Sequence, residues 1–219
     1  TASDGNEGTF CTNYPRLLDE VNPGERILID DGNVQLICKE KEALGDGFRI
    51  RAVVTVGGLV TSRKGVNLPD SELTLPSLTE RDEQLIRFAV EQGFDFLALS
   101  FVRSANDIRE LKERLRTLGV RPVEPGYRNG SQPDNTILEG TYKGFIPIIS
   151  KIEKPQAVRN LEEILLETDM VMVARGDLGV EMDLEEVAVI QKHIIGSCRE
   201  YGIPVIVATQ MLQSMIESV

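Results

Sequence analysis

An α/β fold is predicted for this sequence: a partial (β/α)8 TIM-type barrel of about four β/α units, preceded by a small antiparallel β-barrel domain. Three observations predict it. Up to about residue 64 the apolar runs are short, β-branched and separated by Gly-containing turn signals. Beyond residue 67, short Val/Ile-rich runs alternate with stretches of helical periodicity, as in a parallel sheet covered by helices. Several of those runs end in polar residues, as do barrel strands that open onto one rim. The expected boundaries are 1–66 for the β-rich domain and 67–219 for the barrel domain.

In the first domain, runs 26–30 and 34–38 flank Asp31-Gly32, the dipeptide of a tight hairpin. A third run, 48–54, follows Gly45-Asp46-Gly47, and Gly57-Gly58 marks another turn. Residues 68–76 read as extended and Pro-bounded. Helices are then expected over 79–92, 105–118, 155–167 and 184–201, with a last one from about Gln210. Thr79 and Asp82 have the spacing of a capping box, and Pro155 suits a first helical turn. Strands are expected over 94–101, 146–152, 170–174 and 203–208. Residues 121–142 interrupt this rhythm with Pro, Gly, Asn and Ser, and read as a flexible surface insertion. Four β/α units are half a barrel, with two open strand edges, so the chain is expected to be a fragment.

Composition excludes several functions. The chain has 35 acidic against 24 basic residues, a net charge of −11, which argues against nucleic acid or an anionic membrane as partner. With one histidine, His193, in a helical pattern that suits a structural role, the sequence argues against His-based triads and His-ligated zinc. Cys11, Cys38 and Cys198 are widely spaced and read as reduced thiols of a cytoplasmic protein. No apolar run reaches the ~20 residues of a membrane span, and no signal peptide is seen. Between Leu161 and Val189 there are nine acids and one base, Arg175; most of these acids read as a solvated face.

Chemistry concentrates at strand ends. Ile148-Ile149-Ser150-Lys151-Ile152-Glu153 places Lys151 and Glu153 on one strand face, and Asp177 ends the next run in a Gly-flanked turn. Two carboxylates and an ammonium gathered there can hold a divalent metal beside a transferring phosphoryl group. The competing reading of Lys151 and Glu153 is a strand-end ion pair, and of Asp177 an ordinary turn residue. The joint pattern favours a site, because Ser100 and Thr209 end two further strands on the same rim.

These residues also match a family. Ile149-Ser-Lys-Ile-Glu153, Ala174-Arg-Gly-Asp-Leu-Gly179 and Ala208-Thr-Gln-Met-Leu212, in that order, resemble the core signature of the pyruvate kinases. Lys64-Gly-Val-Asn-Leu-Pro69 resembles the exit of that family's lid domain, Ser100-Phe-Val-Arg103 its third-strand end, and Asp30-Asp31-Gly32 its lid hairpin. The resemblance covers nearly the whole chain outside 121–142.

The resemblance implies glycolytic phosphoryl transfer from phosphoenolpyruvate to ADP, giving pyruvate and ATP. Glu153 and Asp177 would be the ligands of Mg²⁺ or Mn²⁺. Lys151 would face the transferring phosphoryl group, and Thr209 would help deliver a proton to the enolate carbon, through water. Backbone N–H groups at Gly176 and Asp177 would bind the substrate carboxylate, with Ser100 and Thr209 also lining the substrate. From the lid, Lys64 and Asp31 would approach the nucleotide phosphates and their metal. Arg175 is expected to hold its turn by an ion pair.

K⁺ is also implied, but the family's K⁺ ligands and a phosphate-binding Arg come from earlier barrel strands with no counterpart here. The parent protein is expected to be a cytoplasmic homo-oligomer, a tetramer as in the family. Two alternatives stand beside this one. One is a Mg²⁺-dependent aldolase or lyase of the phosphoenolpyruvate/pyruvate superfamily, which would not be expected to carry the β domain. The other is a non-catalytic paralogue, against which the intact Lys151, Glu153, Asp177 and Thr209 argue.

Overall fold

The computed structural model describes residues 8–12, 14, 16–45, 47–71, 78–121 and 144–209. The chain divides into two compact units, Thr1–Leu75 and Pro76–Val219. The expected extended stretch at 72–76, nearly all of the 121–142 insertion, the last helix from Gln210, and Met211 and Leu212 lie outside the described residues.

The first unit comprises α1 (Leu17–Glu20), β1 (Arg26–Ile29), β2 (Val34–Leu44), β3 (Gly47–Val56) and β4 (Val66–Asn67). The strands form an antiparallel sheet in the order β3-β2-β1-β4. Pairing of Ile29 with Val34 leaves Asp31-Gly32 at the centre of the hairpin turn. Both central residues have positive φ, 53° and 83°, and the Asn33 N–H donates to the Asp30 carbonyl at 3.1 Å. That is the backbone the Asp-Gly signal predicts, because only such a turn matches the strand twist. Ile27, Ile29, Val34, Leu36 and Cys38 bury one face against Leu17, Val21 and Leu68.

The second unit runs α2 (Glu80–Gln92), β5 (Leu97–Leu99), α3 (Ala105–Thr117), β6 (Ile148–Ile152), α4 (Pro155–Arg159) and α5 (Leu161–Glu167). It continues with β7 (Met170–Ala174), α6 (Arg175–Glu181), α7 (Leu184–Glu200) and β8 (Val205–Ala208). All four strands are parallel, in the order β5-β6-β7-β8, so each lies beside its neighbour in sequence. One sheet face carries Ile148, Ile152, Val171 and Val173 into a core with Ile108, Leu115, Ile164 and Ile194 from the helices. The opposite face carries Lys151, Met172 and Ile206 in register, all half-buried.

Local chemistry sets the element ends. The Asp82 N–H donates to Thr79 Oγ1 at 3.2 Å, and the Thr79 N–H donates to Asp82 Oδ2 at 2.8 Å, closing the predicted capping box. Three predicted strands of the second unit are shorter in the structure and one predicted helix is broken; the strands expected at 146–152 and 203–208 begin at Ile148 and Val205. The strand expected at 94–101 is only Leu97–Leu99, because the Phe94 N–H is used to close α2 on the Ala89 carbonyl. The helix expected at 155–167 breaks at Asn160, whose side-chain amide donates to the Arg103 carbonyl at 2.8 Å.

Glu167, at the end of α5, ties that helix to α3 through Lys112 at 3.0 Å and Arg109 at 2.9 Å. Burial alone would push its carboxyl upward, but the hydrogen bonds from Lys112 and Arg109 outweigh it and hold the group below the usual carboxylate range. A lowered folded-state pKa stabilises the fold above the unfolded pKa and ceases to do so as pH falls through the folded value. Glu167→Gln strands the buried Lys112 ammonium and is expected to cost about 3 kcal/mol at neutral pH. In urea unfolding, that difference from wild type should shrink as the pH is lowered below about 4.

Candidate active site

Strand β6 delivers two charges to the C-terminal edge of the parallel sheet. Lys151 is its fourth residue and Glu153 follows its end, two positions on, so both lie on the face turned away from the helices. The Lys151 ammonium pairs with Glu153 Oε1 and donates to Ser100 Oγ at 3.1 Å. Ser100 follows β5, the neighbouring strand, so three of the predicted residues are in direct contact. Glu153 is 1% exposed at its side chain whereas Lys151 is 24% exposed, which leaves the ammonium facing outward.

The second Glu153 oxygen accepts the Phe101 N–H at 2.6 Å. Phe101 has φ 54°, a left-handed conformation that costs a bulky residue on the order of 1–3 kcal/mol. Thr209, directly after β8, has φ 42°. Among the described residues these are the two non-glycine residues of the second unit with positive φ, and both lie within two residues of a parallel strand's C-terminal end. Strain kept at such places is characteristic of sites where side-chain direction matters more than local stability.

Gly176 and Asp177 do not sit in a turn, as the sequence suggests, but in the first turn of helix α6. The helix starts directly after β7 because Leu178 is fully buried in the core, which draws the chain into a helical turn. Asp177 is exposed, in a turn whose N–H groups lack intrahelical partners. Thr209 is likewise exposed, and neither residue bonds to Lys151 or Glu153. Arg175 makes no ion pair among the described residues, and its Nε is buried without a hydrogen-bond partner.

The acids between 161 and 189 are less uniformly solvated than the sequence suggests. Glu167 and Glu181 are both largely buried and ion-paired. Glu181, at the end of α6, pairs with Lys154, which also lies 5.9 Å from the Phe101 ring. Sequence reasoning missed Lys154 and Glu181, and gave Phe101, at its expected strand end, no role. The available signals were the placement of Lys154 next to Glu153 and of Glu181 one helical turn beyond Asp177.

In the first unit, Lys64 pairs with Asp30 at 2.7 Å. The hydrogen bond to Lys64 holds the Asp30 carboxyl below its ordinary range and raises the Lys64 ammonium above its own. Asp31 is exposed at the hairpin tip.

Among the described residues no three His, Cys, Asp or Glu side chains converge on one point. Glu153 and Asp177 each offer the oxygens that a hard divalent cation takes, and the Glu153 carboxylate, though it accepts two bonds, keeps lone pairs. A cation held by two protein carboxylates is completed by water and substrate oxygens, the usual state of Mg²⁺.

Comparison with known proteins is consistent across most of the chain. The family model described as pyruvate kinase, barrel domain, matches residues 1–122 and 135–219. The unmatched residues fall within the stretch read from the sequence as an insertion. A pyruvate kinase of Corynebacterium efficiens is 44% identical over 215 residues, covering 98% of this chain and 40% of that protein. The Mycobacterium tuberculosis pyruvate kinase is 42% identical over 217 residues, 99% of this chain and 40% of the relative. That of Thermotoga maritima is 40% identical over 214 residues, with 98% and 40% covered. The chain thus spans about two fifths of the length of these curated relatives.

Proposed function

The chain belongs to the pyruvate kinase family, and on that premise we propose that it supplies the metal-and-phosphoryl side of a site moving the phosphoryl group of phosphoenolpyruvate to ADP. The observation that carries this reading is the cluster of Ser100, Lys151 and Glu153 at the C-terminal edge of a parallel sheet, with Lys151 facing outward. Substrates of such sheets bind at that edge. The consecutive strand order and the half-buried face at Lys151, Met172 and Ile206 support reading the second unit as part of a (β/α)8 barrel whose interior is that face. The first unit would be the lid.

Each residue's chemistry follows from its surroundings. Glu153 and Asp177 would hold Mg²⁺ or Mn²⁺, which when bound offsets charge on the substrate oxygens. Lys151 presents a compact positive charge where negative charge shifts during phosphoryl transfer, and its bond to Ser100 aims it. Ser100 would also line the substrate. The N–H groups of Gly176 and Asp177, unused by α6 itself, are available to a carboxylate. Thr209, turned by its positive φ, would orient a water that protonates the enolate carbon; its hydroxyl alone is too weak an acid. Lys64, kept charged by Asp30, and Asp31 would serve the nucleotide phosphates and their metal. K⁺, a cytoplasmic setting and a homo-oligomeric parent, tetrameric as in the family, belong to the same reading, with no K⁺ ligand assigned to this chain. No helix among the described residues is long and apolar enough to cross a membrane.

The test is a coupled assay on the protein carrying this chain, with phosphoenolpyruvate, ADP, Mg²⁺ and K⁺. Pyruvate should form in proportion to ADP consumed. Mg²⁺-dependent carbon–carbon cleavage without ATP formation would replace this reading with the lyase one.

A further inference from the structure

The buried ion pair between Lys154 and Glu181 has no part in the chemistry described above. Lys154 is the residue after Glu153, and Glu181 is the last residue of α6. Their side chains are 12% and 1% exposed. Two charges withdrawn from water this far give little net stability, because the desolvation penalty offsets their attraction. What such a pair fixes is relative position.

Asp177 and Glu181 are four residues apart in α6, so they lie on one helix face, one turn from each other. Leu178, on a neighbouring face, is fully buried in the core. An apolar anchor resists withdrawal of a helix but tolerates small rotations and slides. A charged pair with defined hydrogen-bond directions tolerates them less. The ammonium of Lys154 also lies 5.9 Å from the ring of Phe101, and the backbone N–H of that residue donates to Glu153. The ends of β5 and β6 and the face of α6 that carries Asp177 are therefore tied at one charged node.

We infer that Lys154 and Glu181 are positioning residues for the divalent cation: their ion pair sets the placement of Asp177 relative to Glu153. This rests on the reading of Glu153 and Asp177 as the metal's ligands. Neither Lys154 nor Glu181 is a ligand of the metal or the substrate in that reading. Their removal should weaken metal binding while leaving both ligands in the chain.

The experiment is a Mn²⁺ titration of the whole chain, followed by electron paramagnetic resonance, with urea unfolding run on every variant. Lys154→Met should raise the Mn²⁺ dissociation constant by about 10- to 100-fold, the range found for outer-shell partners. Lys154→Arg, which keeps a cation opposite Glu181, should stay within about threefold of wild type. The double variant Lys154→Met/Glu181→Leu removes both buried charges together, so it should fold while still losing Mn²⁺ affinity. A folded double variant with wild-type Mn²⁺ affinity would overturn the inference, as would Lys154→Met that shifts only the unfolding midpoint. The underlying ligand reading fails separately. If wild type does not bind Mn²⁺, or binds it equally well after Glu153→Gln and Asp177→Asn, both the ligand assignment and this inference fall.

Discussion

Lys151→Met in the protein carrying this chain is expected to lower the rate of pyruvate formation by on the order of 10³-fold, with a much smaller effect on the KM for phosphoenolpyruvate. A fixed cation facing the transferring phosphoryl group acts mainly in the transition state, and losing such a group typically costs about 4 kcal/mol or more of barrier. The methionine side chain is unbranched and similar in length to lysine's, so the space beside Ser100 and Glu153 stays filled. What disappears is the charge. If Lys151 were only the partner of Glu153, the same change would leave a buried carboxylate unpaired and lower stability, with turnover nearly intact. Steady-state kinetics with urea unfolding of the same variant separates the two. Lys151→Arg should recover little, because a guanidinium fork is not a compact ammonium.

Glu153→Gln is expected to reduce Mn²⁺ affinity by on the order of 100-fold or more, since a neutral amide is a far poorer ligand for a hard cation than a carboxylate. The glutamine oxygen can still accept the Phe101 N–H, so the strained backbone at Phe101 should persist. The amide NH₂ would then face the Lys151 ammonium, two donors in apposition, and stability should fall by about 1–2 kcal/mol. The ratio of the two effects is the informative quantity. A purely structural ion pair predicts the stability loss without the loss of metal affinity. Isothermal titration with Mn²⁺, with thermal unfolding on the same preparation, reads both.

Local signals in the sequence were reliable where one short segment decides the outcome. Asp31-Gly32 produced the hairpin and Thr79/Asp82 the capping box because the groups that satisfy each other are neighbours in the chain. Alternating side chains on one strand likewise put Lys151 and Glu153 on one face. Long-range partners were not legible in the same way. Nothing in the run around Asn160 announces that its side chain bonds to the Arg103 carbonyl, 57 positions away, and so breaks one helix into two. Glu181 looked like one more solvated acid because its partner, Lys154, lies 27 residues earlier. The helix beginning at Arg175 was hidden by its two glycines, which propensity disfavours and the burial of Leu178 overrides.

The central claim is that Glu153 and Asp177 hold a divalent cation next to the phosphoryl group that Lys151 faces. It is tested most directly by the ³¹P relaxation of phosphoenolpyruvate in the presence of the chain and Mn²⁺. Enhanced relaxation of the phosphorus signal is predicted for wild type, returning to the value of protein-free solution in Glu153→Gln and Asp177→Asn. No enhancement in wild type, or enhancement undiminished in both variants, would contradict the claim.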